Sequence, residues 1–130
     1  MKYFRIFILL ASILFLRSQS YGQSNLDGKI YAINLTLKGV HDSFDTLMFQ
    51  GGRLTYSTAR RYGFAPAEYK TKEKNTGRMV GTALNESKTN GTMLWNFVVL
   101  EDSISGSATF DSRVRNPVTY EFTGKEIKSE

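Results

Sequence analysis

The sequence predicts an all-β fold, an eight-stranded antiparallel up-and-down barrel, and three observations carry that expectation. Apolar side chains recur at every second position through segment after segment, as strands with one buried face require. Polar turns rich in glycine and asparagine separate these segments, with no long crossover between them. The clearest strand is Met93 to Leu100, in which Met93, Trp95, Phe97 and Val99 share one face. Glu101-Asp102 turns the chain, Ile104, Ala108 and Phe110 resume the alternation, and Val118, Tyr120 and Phe122 repeat it. A two-sheet β-sandwich accommodates the same strands. Consecutive hairpins favour the barrel, as do Gly81, Gly106 and Gly124, which stand inside strands where a closed sheet must bend sharply.

The N-terminal residues stand apart from this pattern. Lys2 and Arg5 precede an apolar run from Ile6 to Leu16, and Ser20-Tyr21-Gly22 ends it in small residues. That is the form of a secretory signal peptide, with cleavage expected after Gly22. Eleven helical residues rise only about 17 Å, short of the roughly 30 Å of hydrocarbon a membrane span crosses. Residues 1–22 therefore read as a signal peptide and 23–130 as a single β-barrel domain, secreted or periplasmic, without a membrane span after cleavage. Removal of Lys2, Arg5 and Arg17 leaves 14 basic against 12 acidic side chains. The mature balance argues against a nucleic-acid partner, because Glu68 and Glu73 interrupt the basic run of Lys70, Lys72, Lys74 and Arg78. The chain contains no cysteine. Core packing and sheet hydrogen bonds must hold the exported domain together without disulfides.

In order, Leu26-Asp27-Gly28-Lys29 opens the domain as a turn, and Tyr31, Ile33, Leu35 and Leu37 alternate along a first strand. Residues 38–43 read as loop, and Phe44 to Phe49 as a second strand. Gln50-Gly51-Gly52-Arg53 closes a hairpin, since paired glycines accept the positive φ of tight turns. Leu54 and Tyr56 begin a third strand. The stretch 57–66 has no period of two. Ser57 can cap a short helical segment near 57–63, Gly63 can end it, and Pro66 stops its continuation. Ala67 to Lys74 and Arg78 to Leu84 supply two more strands, and Asn85 to Gly91 reads as a polar turn.

Residues able to carry chemistry are few. His41, the single histidine, lies beside Asp42 with Asp45 nearby, but one imidazole and two carboxylates in a loop more often make a solvated turn than a metal site. No nucleophile elbow, phosphate loop or dinucleotide fingerprint occurs. Nothing points to an enzyme, a metal or a cofactor. The aromatic set Trp95, Tyr31, Tyr56 and Tyr120 faces the expected interior. An eight-stranded barrel is near the size at which that interior either fills or holds one small ligand. Arg60, Arg61, Tyr62 and Phe64 form the candidate functional loop, because an irregular segment on a regular β scaffold is where binding residues gather. The first expectation for this segment is structural, with Tyr62 and Phe64 plugging one barrel end, while the adjacent arginines can instead meet a carboxylate on a ligand or partner.

Leu26-Asp27-Gly28-Lys29-Ile30-Tyr31, the Gly51-Gly52 hairpin, Tyr62-Gly63-Phe64-Ala65-Pro66 and Ile104-Ser105-Gly106 together give the chain its likeness to a known group. It resembles the calycins, small exported lipocalin-like barrels, in a short, disulfide-free bacterial form. Where lipocalins proper carry Gly-x-Trp, this chain has Gly28-Lys29-Ile30-Tyr31, and Lys125 stands nearest the place of their late basic residue. The resemblance implies a closed barrel. The reading that follows is a secreted or periplasmic binding module, holding a small apolar or aromatic ligand in the barrel without a cofactor. The alternative is a protein–protein interaction module, such as an inhibitor of an extracellular hydrolase, using loops 38–43 and 57–66.

Overall fold

The computed structural model describes residues 26–74 and 77–128. The proposed signal peptide lies outside the described residues. The strands are β1 (Ile30–Leu37), β2 (Val40–Gln50), β3 (Arg53–Tyr56), β4 (Ala67–Glu73), β5 (Met79–Ser87), β6 (Gly91–Leu100), β7 (Ser103–Asp111) and β8 (Val118–Glu126). Each pairs antiparallel with the next, and β1 pairs with β8, so the sheet closes on itself in up-and-down order. The barrel expected from the hairpin pattern is the one that forms, and the sandwich is not.

Closure depends on β1 lying against β8 from Tyr31↔Glu126 to Thr36↔Glu121. Two glycines permit the close approach that the bend demands. A Cβ at Gly124 would stand 2.3 Å from the Ala32 carbonyl oxygen, and one at Gly106 only 1.9 Å from that of Asn96. Both separations are far inside van der Waals contact, so no larger residue fits without moving backbone.

Tyr31, Ile33, Leu47, Phe49, Leu54, Tyr69, Phe97, Ile104 and Phe122 point inward and are buried. Phe49 is the hub of the filled half. Its ring meets Tyr31 at 5.9 Å, Tyr69 at 5.0 Å and Phe97 at 5.4 Å, all edge to face, the arrangement that ring quadrupoles favour. Leu26, 1 % exposed, caps this half from below. Asp27 locks the cap by accepting from the Tyr69 hydroxyl at 2.6 Å and from the Gly52 amide at 3.0 Å. The chain enters β1 and leaves β8 at this end, where the Ile127 amide donates to the Ile30 carbonyl at 2.7 Å. This end is the floor of the barrel.

Several boundaries differ from the sequence reading. β2 begins at Val40 rather than Phe44, because Lys38-Gly39 alone makes the turn, both residues having positive φ. The helical segment is one 3₁₀ turn, Arg60–Tyr62, with no side-chain cap. Ser57 does not cap it, since its hydroxyl donates to Asp45 instead, whereas Gly63 ends the turn at φ 77° as expected. β5 runs on to Ser87, which makes Asn85 a buried strand residue rather than part of a turn. Among the described residues, no helix is long and apolar enough to cross a membrane.

Replacing Gly106 with alanine is expected to lower unfolding free energy by about 3 kcal/mol, the scale of an overpacked core, measured by urea denaturation. The floor lock supplies a second outcome. Tyr69 and then the Gly52 amide hold the Asp27 carboxyl below its ordinary value of 3.8, against the opposing effect of burial. The folded chain thus binds this proton less readily than the unfolded one, so the stabilisation is complete above the unfolded value and is lost as pH falls through the folded one. Urea midpoints compared between neutral and acid pH should fall less for Asp27→Asn than for the wild type.

Candidate functional site

The opposite end of the barrel is open. The start of β2, the β5–β6 turn and the segment 57–66 border a cavity of about 420 Å³, within the range of small-molecule sites. Leu35, Met93 and Phe110 give it apolar walls, and Tyr56, Trp95 and Tyr120 give it aromatic walls with polar tips. Asp42, Asp45, Thr58, Tyr62 and Asn90 also line it.

The segment 57–66 is held in place by a side chain that the sequence reading had assigned to a turn. Asn85 is fully buried, and its amide donates to the Leu54 carbonyl at 3.0 Å and the Ala65 carbonyl at 2.9 Å. The Ser87 hydroxyl donates to the Tyr62 carbonyl at 3.0 Å, and the Phe64 amide to the Ala59 carbonyl at 2.9 Å. These bonds set Phe64 into the cavity wall between Tyr56 and Phe110, at 6.2 Å from each ring. The segment is therefore a fixed part of the wall. The available signal was parity, because Asn85 and Ser87 continue the inward face of Gly81 and Ala83.

Trp95 is packed between Tyr56, at 5.3 Å, and Phe122, at 5.4 Å. Tyr56 is 5 % exposed and Trp95 1 %, yet among the described residues neither the Tyr56 hydroxyl nor the Trp95 indole N–H has a hydrogen-bond partner. A buried polar group left unpaired costs about 1–3 kcal/mol. Burial, with the Asp45 charge adding to it, pushes the Tyr56 hydroxyl well above its ordinary value, and burial followed by the Asp42 charge raises Tyr120. Both phenols therefore remain protonated donors.

The two carboxylates reach the cavity through an irregularity in β2. Residues three apart on a regular strand face opposite sides. The register of β1 and β2 passes from Leu35↔Ser43 to Thr36↔His41, leaving Asp42 without a partner. This bulge breaks the alternation, so that Asp42 and Asp45 both line the same space. Asp45 accepts from the amides of Thr46 and Ser57 and from the hydroxyls of Ser57 and Thr58, which ties β2 to the start of segment 57–66. Sequence alternation could not reveal the bulge.

The other candidates fall elsewhere. Tyr31 is buried against Phe49 in the filled half and does not line the cavity. Its hydroxyl, also unpartnered, is pushed up to about 12 by burial and then by the charges of Glu126 and Asp102. Arg60 and Arg61 are exposed on the 3₁₀ turn, outside the cavity lining. Trp95, Tyr56, Tyr120, Tyr62 and Phe64 are brought together. His41 shares a hydrogen bond with Asn34 and tilts against the exposed Phe44 ring at 4.5 Å. Among the described residues, no group of three or more His, Cys, Asp or Glu side chains is placed to hold a metal.

No protein family, curated protein or solved structure matches this chain.

Tyr56→Phe is expected to raise the stability of the ligand-free protein by about 1 kcal/mol, because it deletes an unpaired buried hydroxyl. Tyr69→Phe, which removes the donor to Asp27, should lower stability. Urea unfolding of the two variants against wild type checks both signs.

Proposed function

We propose that this chain is an exported, lipocalin-like binding module that takes a small apolar or aromatic molecule into the open half of its barrel. Residues 1–22 act as the signal peptide in this reading, and the mature domain works outside the cytoplasm without catalysis or a cofactor. The observation that carries the proposal is the unpartnered pair, Tyr56 hydroxyl and Trp95 N–H, on the wall of an apolar cavity of about 420 Å³. Replacing these groups with apolar ones of similar shape would remove the cost of leaving them unpaired. The wall around them is preformed, because Asn85 and Ser87 fix segment 57–66, and preformed sites bind with less ordering cost.

A second reading, an interaction module directed at another protein, draws on the outer rim. Val40, Phe44 and Val114 are 69 %, 74 % and 87 % exposed on the β1–β2 and β7–β8 sides of the mouth. Tyr62 stands half exposed beside Arg60 and Arg61. Apolar and arginine side chains presented together suit a protein contact.

The uncharged fluorophore N-phenylnaphthylamine separates the two. Because Trp95 is the single tryptophan, uptake into the cavity should quench its emission, with saturation at one probe per chain. Ser43→Trp, at an exposed position lining the mouth, should abolish uptake, read by the probe's own emission, with the unfolding midpoint preserved. Absence of saturable uptake by the wild type would overturn the ligand-binding reading in favour of the rim.

A further inference from the structure

We propose that the ligand this cavity selects is a cation, an amine on an aromatic or apolar body with a hydrogen-bond acceptor at its far end. The inference rests on the binding-module reading and adds the chemical class of the ligand.

Charge is the leading observation. The mature balance is slightly basic, 14 basic against 12 acidic side chains, yet among the described residues Asp42 and Asp45 are the only charged side chains lining the cavity. The ion pairs among the described residues, Lys29–Glu126 and Lys125–Asp102, lie at the floor and engage neither carboxylate. Asp45 is anchored by N–H and O–H donors, and Asp42 accepts from the Ser43 hydroxyl. Such neutral donors position a carboxylate without cancelling its charge. The bulge in β2 brings the second carboxylate to the same space as the first. A cation at this mouth meets two negative groups in a cavity that Tyr120 also lines, and aromatic rings attract cations.

The second observation is independent of charge and fixes the other end of the molecule. Trp95 and Tyr56 are more than nine-tenths buried, line the cavity and offer two unsatisfied donors. An indole N–H only donates, so the group that meets it must accept: an ether, carbonyl or hydroxyl oxygen. A carboxylate ligand would satisfy these donors but would bring a like charge toward Asp42 and Asp45. The polarity of the site thus runs from acceptor-seeking at Trp95 to cation-seeking at the mouth.

The test is calorimetric titration with four molecules of matched shape. They are para-methoxyphenethylamine, the corresponding alcohol, the corresponding carboxylate (para-methoxyhydrocinnamate) and para-ethylphenethylamine, which lacks the ether oxygen. The methoxy amine should bind about tenfold more tightly than the alcohol, and the carboxylate more weakly than the alcohol. The ethyl amine should lose several-fold relative to the methoxy amine. Asp42→Asn removes the more exposed charge while leaving the structural bonds of Asp45 intact, and should shrink the amine-to-alcohol ratio several-fold. Equal affinities of amine and alcohol, or preference for the carboxylate, overturn the cation proposal when N-phenylnaphthylamine still binds. Failure of that neutral probe as well overturns the binding-module reading beneath it.

Discussion

Everything in this molecule depends on the closure of β1 against β8. An open eight-stranded sheet would leave two edges of unpaired amides and carbonyls in a chain with no cysteine to staple it. Closure satisfies both edges at once, but only if the strands coil tightly enough to meet. That tightness is set by Gly106 and Gly124, where a neighbouring carbonyl oxygen occupies the space a Cβ would need. These positions let the strands coil closely, while the eight strands and their stagger set the radius and with it the interior volume.

That fixed interior is then divided by side-chain size. Tyr31, Phe49, Tyr69 and Phe97 interlock and leave no room near the floor. Toward the mouth the wall carries Leu35 and Met93, with Trp95 tilted against Tyr56 and edge to face with Phe122. The donors of Tyr56 and Trp95 are left unpaired at the cavity lining, as the Tyr31 hydroxyl is in the filled half. Core and cavity are continuous, and one ring, Trp95, belongs to both.

The period-two alternation made the strands and their inward faces readable, and the hairpin order made the barrel readable. What escaped the sequence has specific causes. The bulge at Asp42 exists only in the pairing of two strands, and a single strand's pattern cannot show a missing partner. Asn85 reads as a turn residue because asparagine is polar, although in the interior its amide nitrogen donates to the carbonyls of Leu54 and Ala65. The aromatic side of the candidate site was legible because Tyr56, Trp95, Tyr62, Phe64 and Tyr120 all converge. Tyr31 shares their parity but lies too far toward the floor, since alternation gives the face and not the height. The arginine pair drew attention through sequence irregularity, and the 3₁₀ turn places it outward because the inward positions of that segment go to Ala59 and Phe64.

The floor has one further consequence. Leu26 and Glu126 both lie there, and the backbone bond from Ile127 to Ile30 draws incoming and outgoing chain side by side. A module or solid support attached directly at Leu26 or Glu126 would therefore meet the barrel on the side away from the opening. Such an assembly would present its barrel like a cup on a stem, with the rim unobstructed.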